Sequence, residues 1–131
     1  MAAALIDTSV VIDWDEPAVV DGLPDHVAIS TISLAELAVG PHLTKDAGER
    51  ARRQARLQQA EALFDPIDFD RAAARSYGIV VAAVAASGRS HRPRVADLLI
   101  AAIAHAQGLA LYTRNAEDLL GLGDLLEVHP V

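Results

Sequence analysis

A chain of 131 residues, 52% of them hydrophobic, is long enough to bury a sizeable core but leaves little room for a second domain. It has no cysteine, which excludes disulfides, thiolate metal sites and cysteine nucleophiles. Eighteen acidic against eleven basic residues leave a net charge of −7, so nucleic acid would be repelled unless basic patches or bound cations reverse the field locally.

Residues 2–6 are a brief apolar run, read as a short buried strand that stops at Asp7. The start carries no basic residue and breaks at that acid, which makes it a poor signal peptide. Residues 9–14 read as one or two helical turns. Pro17 and the cluster Gly22-Leu23-Pro24-Asp25 mark loops, and residues 27–30 a second strand. A helix is expected from Ser33 to about His42, interrupted near Gly40-Pro41. A longer one over residues 48–64 carries Glu49, Arg50, Arg52, Arg53 and Arg56 on one side.

Residues 66–68 are a candidate third strand, and Asp70 a candidate N-cap for the next helix. Tyr77, Val80, Val81 and Val84 recur at helical spacing there, and Gly88 supplies the stop. After the loop 89–93 come a helix over 95–107 closed by Gly108, a strand over 109–113, a short helix from Asn115 and an edge strand over 126–130. The longest uncharged apolar run, residues 79–86, is far below the ~18 residues that span a bilayer. Short parallel strands alternating with helices predict one α/β domain over residues 1–131, with no membrane segment and a cytoplasmic location. In such sheets ligands gather at the carboxyl ends of the strands.

Several acids stand out against this pattern. The segment from Val95 to Ala104 is apolar all round a helix except at Asp97. A lone buried carboxylate costs several kcal/mol or shifts its pKa, so Asp97 needs a partner. The helix N-terminus and Arg94 are two local candidates. Glu36 sits among Leu34, Ala35, Leu37, Ala38 and Val39, where Ser33 and Glu36 also spell a capping box. Asn115 and Asp118 follow a strand and have a capping reading too, as does Asp7. Taken together, Asp7 and Asn115 fall at strand ends, while Glu36, Asp97 and Asp118 fall in first turns of helices. Parallel strands would bring all of them to one edge of the sheet. Carboxylates gathered there repel one another, and a hard divalent cation relieves that repulsion. Oxygen donors without cysteine or a paired-histidine motif suit Mg²⁺ or Mn²⁺ rather than zinc.

Four stretches in this order, IDTSVVIDW (6–14), ISLAELAVG (32–40), RVADLLIAAIAHAQG (94–108) and LYTRNAEDL (111–119), resemble the PIN-domain ribonucleases, and among them the VapC-type toxins of prokaryotic toxin–antitoxin pairs. The resemblance covers essentially the whole chain. It implies a central parallel sheet of about five strands with helices on both faces. It also implies metal ligation by Asp7, Glu36 and Asp97, with Asp118 as a fourth acid. Asn115 stands where many relatives have aspartate, and Leu119 where a phenylalanine is frequent. Ser9 and Thr113 match small hydroxyl residues that line such sites.

The implied activity is Mg²⁺- or Mn²⁺-dependent hydrolysis of RNA phosphodiester bonds, leaving 5′-phosphate and 3′-hydroxyl ends. Asn115 would position phosphate or water. Arg92, Arg94 and Arg114 would contact substrate, with Arg89 beside them. Arg50, Arg52, Arg53 and Arg56 are either further phosphate contacts or a solvated helix face. The implied partners are the RNA substrate, a VapB-like antitoxin whose tail occupies the acidic groove, and a second copy of the chain. Two other readings remain: a metal-dependent DNA or flap nuclease of the same fold, and a non-catalytic PIN-like module that binds RNA or protein. No GxSxG, HExxH or phosphate-cradling glycine loop is present.

Overall fold

The computed structural model describes residues 2–131. Four strands form one sheet: β1 (Ala4–Ile6), β2 (Val27–Ala28), β3 (Ala110–Thr113) and β4 (Val128–Pro130), in the order β2-β1-β3-β4. Every neighbouring pair is parallel, with Leu5 opposite Ala28 and Leu111, and Tyr112 opposite His129. Six α-helices surround the sheet: α1 (Thr8–Ile12), α2 (Pro17–Asp21), α3 (Thr31–Val39), α4 (Ala47–Leu63), α5 (Arg71–Ala86) and α6 (Val95–Gln107). Single 3₁₀ turns over Gly40–Leu43, Arg92–Arg94 and Ala116–Leu119 complete the chain.

The two-residue pleat of β1 explains the layering. Leu5 joins Ala28 and Leu111 in a core with the apolar faces of α5 and α6. Ile6 points the other way and joins Val10, Val11, Val19, Ile29, Leu37 and Ala60, contributed by the segments of α1 to α4. Both faces of the sheet are therefore covered, as parallel sheets require. Helix α6 is buried through its middle, with Leu98 and Ile100 to Ala104 all shielded from water, which accounts for its lack of a polar face. On the opposite layer Trp14 meets Phe64 edge to face at 5.3 Å, tying the end of α1 to the end of α4.

The helix boundaries have local causes. Asp46 and Asp70 cap α4 and α5 by accepting from the N–H groups of Glu49 (2.7 Å) and Ala73 (2.9 Å). Gly108 ends α6 in the left-handed conformation, φ +67° and ψ +31°. A Cβ there would meet nothing within 4 Å, so a substitution would suffer backbone strain alone. Gly108→Ala is therefore expected to cost about 1 kcal/mol in urea unfolding, and Gly108→Asn less.

Two expectations are corrected here. The sheet has four strands, not about five. Residues 66–68 add only one bridge, between Ile67 and Ser30, because α3 begins at Thr31 and the next donor, the Phe69 N–H, is taken by the Thr31 hydroxyl at 3.2 Å. Helix α3 also starts earlier than Ser33. Ser30 is its N-cap, accepting from the Ser33 N–H at 3.1 Å, so Ser33 and Glu36 do not form a capping box.

Candidate active site

Because the strands are parallel, the segments that leave β1, β2 and β3 all emerge at one edge of the sheet. Helix α6 precedes β3 and runs back across the sheet, so its first turn lies at that same edge. Asp7 follows β1 directly, Glu36 sits in the second turn of α3, Asp97 in the first turn of α6, and Asn115 and Asp118 follow β3.

Asp7 is 5% exposed and is the only buried acid among the described residues. Its Oδ1 accepts from the Ser9 hydroxyl at 2.5 Å and from the Val10 N–H at 3.3 Å, so it caps α1. Among the described residues its Oδ2 makes no hydrogen bond. Ser9 Oγ in turn accepts from the Arg114 N–H at 3.0 Å, which pins the end of β1 to the end of β3. Thr113, buried, accepts from the Asn115 N–H at 3.0 Å and shapes the turn that follows β3.

Glu36 has a partner that sequence reasoning missed. Thr8 Oγ1 lies 2.6 Å from Glu36 Oε1 and 2.8 Å from Ser33 Oγ. A hydroxyl carries one proton, so Thr8 donates to the carboxylate and accepts from the serine. The i,i+3 spacing of Ser33 and Glu36 on α3 was a visible signal. Thr8 was not, because it is 28 residues away and only the fold brings it across.

Asp97 makes no hydrogen bond among the described residues, and its carboxyl is pushed up from 3.8 to about 6. Burial is the largest cause, followed by the charges of Asp7, Glu36 and Asp118. Arg94 acts in the opposite direction but weakly, and it makes no ion pair with Asp97. Its guanidinium is turned toward the Ser90 carbonyl at 2.9 Å, and its Nε is buried without a partner. Neither Asn115 nor Asp118 caps through its side chain; the Asp118 N–H donates to the Asn115 carbonyl at 3.0 Å. Asp97 thus feels the charges of three other carboxylates at one edge, and among the described residues none of the four shares an ion pair with a cation.

The arginines are distributed differently from the sequence expectation. Arg114 keeps its backbone in the site, but its guanidinium is drawn to Asp13 (3.0 Å), Glu16 (3.5 Å) and the Val131 carbonyl (3.1 Å). Arg89 bonds the Glu117 carbonyl at 3.0 Å. Arg92 is exposed on the turn before α6.

The donor set is entirely oxygen, which fits a hard divalent cation. Among the described residues no three His, Asp or Glu side chains form a ready-made cage. A carboxyl raised by burial and by like charges is a common feature of functional sites.

Comparison with known proteins places this geometry in context. Residues 4–119 match the PIN domain family. Ribonuclease VapC5 of Mycobacterium tuberculosis is 38% identical over 117 residues, covering 87% of this chain and 84% of that protein. The crystal structure of VapBC-5 from Mycobacterium tuberculosis, a member of the VapBC family of toxin–antitoxin systems, superposes with a TM-score of 0.81 at 32% identity over the full length of both chains. FitAcB from Neisseria gonorrhoeae superposes with a TM-score of 0.78 at 26% identity, covering 96% of each chain.

Proposed function

The chain belongs to the PIN domain family, and from that premise we propose that it is the ribonuclease toxin of a VapBC-type pair, acting with Mg²⁺ or Mn²⁺. The observation that carries the reading is the gathering of Asp7, Glu36, Asp97 and Asp118 at the carboxyl edge of the sheet, close enough to raise the Asp97 carboxyl. A bound cation would supply Lewis acidity toward a phosphate oxygen and make a nearby water more acidic. The chain's own residues do the rest. Asp7 would hold the ion through Oδ2, while Oδ1 is fixed by Ser9 and Val10. Thr8 holds Glu36 in one orientation. Asp97 supplies a carboxylate with no competing protein partner, and Asp118 stands further out to orient water. Asn115, whose N–H is held by the Thr113 hydroxyl, would position phosphate or water with an uncharged side chain that adds no repulsion. Arg92 and Arg94, just before Asp97, would contact the substrate backbone, Arg94 by giving up its bond to the Ser90 carbonyl. Residues 1–131 act as one nuclease unit, and as a homodimer.

The partner of this toxin is a VapB-like antitoxin, in keeping with the VapBC and Fit complexes to which the fold is similar. An antitoxin arginine entering the acid cluster would displace the metal, so antitoxin and Mn²⁺ should compete. No helix among the described residues is long and apolar enough to cross a membrane.

Side-by-side incubation with structured RNA and the matching DNA tests the substrate assignment. RNA fragments with 5′-phosphate ends are expected with Mg²⁺; preferential cutting of DNA would overturn it. Thr8→Val tests the support of Glu36. Losing a partner that orients a metal ligand is expected to weaken metal affinity or turnover about 10–100-fold. An unchanged Mn²⁺ dependence of the cleavage rate would contradict that role.

A further inference from the structure

A cleft leads away from the acid cluster between α1 and α4. Its near part, about 420 Å³, is lined by Thr8 and Glu36 of the site together with Ile12, Arg53 and Arg56. Its continuation, about 380 Å³, is lined by Ile12, Trp14, Asp15, Arg52 and Arg56. Ile12 and Arg56 line both parts, so the two adjoin along the same face of the molecule. Ile12 is 46% exposed and stands with Trp14 among the apolar residues that line the cleft beside its charged ones.

The four arginines of α4 are not equivalent here. Arg50 donates to the Thr44 carbonyl at 3.0 Å. Arg52 pairs with Glu49 at 2.9 Å, and Arg53 pairs with the other oxygen of Glu49 at 3.2 Å and bonds the Gly40 carbonyl at 2.9 Å. Both oxygens of Glu49 are thereby taken. Arg56 makes no ion pair or side-chain hydrogen bond among the described residues, and Asp15, which shares the second part of the cleft, does not reach it. On a chain of net charge −7, an uncommitted guanidinium one step from the acid cluster is the position where a polyanion gains most.

We infer that this cleft is the track of the RNA strand on one side of the scissile bond, and that Arg56 is the positioning residue that binds a flanking phosphate there. The inference rests on the ribonuclease reading. It deepens that reading by separating Arg56 from its three neighbours, whose charges serve α4 itself. A planar guanidinium is suited to bidentate phosphate contact, and Ile12 and Trp14 give the nucleosides an apolar wall.

The test is steady-state cleavage of a single-stranded RNA with Mg²⁺ by wild type, Arg56→Met, Arg56→Lys and Arg75→Ala, over a range of salt. Met keeps the apolar stem, so loss of fold is separated from loss of charge. Arg75 is exposed on α5 and lines neither part of the cleft. Arg56→Met is expected to raise KM about 5–10-fold with kcat within about twofold, and to flatten the slope of log KM against log salt by about 0.7, the value for one phosphate contact on a single strand. Arg56→Lys should recover the salt slope and part of KM, and Arg75→Ala should behave as wild type. An Arg56→Met enzyme with wild-type KM and salt slope overturns the track, as does an equal effect from Arg75→Ala. Absence of Mg²⁺-dependent cleavage in wild type would instead count against the ribonuclease reading itself.

Discussion

Asp97→Asn is expected to lower Mg²⁺-dependent RNA cleavage by at least about 100-fold, because loss of a mere outer-shell partner of a metal already costs about 10–100-fold. The same substitution should stabilise the metal-free protein at neutral pH. In the folded chain the Asp97 carboxyl is pushed up to about 6, above its ordinary 3.8, by burial and by Asp7, Glu36 and Asp118. Between those two values the folded state holds more protons than the unfolded one. Stability in the metal-free protein is therefore fullest in this respect below about pH 4 and falls as pH rises toward about 6. Asparagine carries no such charge. After discounting for the solvent side of a half-buried group, the gain is on the order of 1 kcal/mol, or roughly 2–4 °C in melting temperature at pH 7. Thermal melts in EDTA at pH 4.5 and pH 7 should show the variant pulling ahead of wild type only at the higher pH. A variant that is both active and no more stable than wild type would sever Asp97 from the acid cluster.

The second large effect is expected at Asp7, where two roles can be pulled apart. Its Oδ1 caps α1, and its Oδ2 is open. Asparagine is as good an N-cap as aspartate, so Asp7→Asn keeps the bond from Val10 and removes only the charge. Cleavage should fall by at least about 100-fold with the urea midpoint little changed. Asp7→Ala should lose the same activity and also about 1 kcal/mol of stability, since the cap goes too. If Asp7→Asn retained most of the activity, Asp7 would be a cap and nothing more.

These two residues also show how far the sequence could be read. Asp97 announced itself, because an acid on an otherwise apolar helix has no cheap place to sit. Asp7 and Glu36 were legible from their apolar settings, but their local alternatives were decided only by the fold. Asp7 turned out to cap a helix while leaving one oxygen open. Glu36 turned out not to belong to a capping box, because Ser30 had already taken the cap three residues before Ser33.

Contacts made across the sheet edge left no local trace. The Thr8 hydroxyl that holds Glu36 and the Ser9 hydroxyl that joins β1 to β3 depend on tertiary pairing of segments 28 and 105 residues apart. The same is true of Arg114. Its position beside Asn115 suggested a substrate contact, yet Asp13 and Glu16 lie close enough to draw its guanidinium away. The strand expected at 66–68 failed for a different reason. Hydrophobic pattern does not report how many ladder bonds a segment makes, and a three-residue stretch that opens on proline made one bridge.

The account's central claim is that four separate segments build one divalent-cation centre. Calorimetric titration of Mn²⁺ into the metal-free protein measures this most directly. Wild type should bind Mn²⁺ saturably with release of protons at about pH 6, where the Asp97 carboxyl is half-protonated. Asp97→Asn should lose that binding and its proton release together. Wild type that takes up no Mn²⁺, or an Asp97→Asn protein that binds it equally well, would contradict the claim.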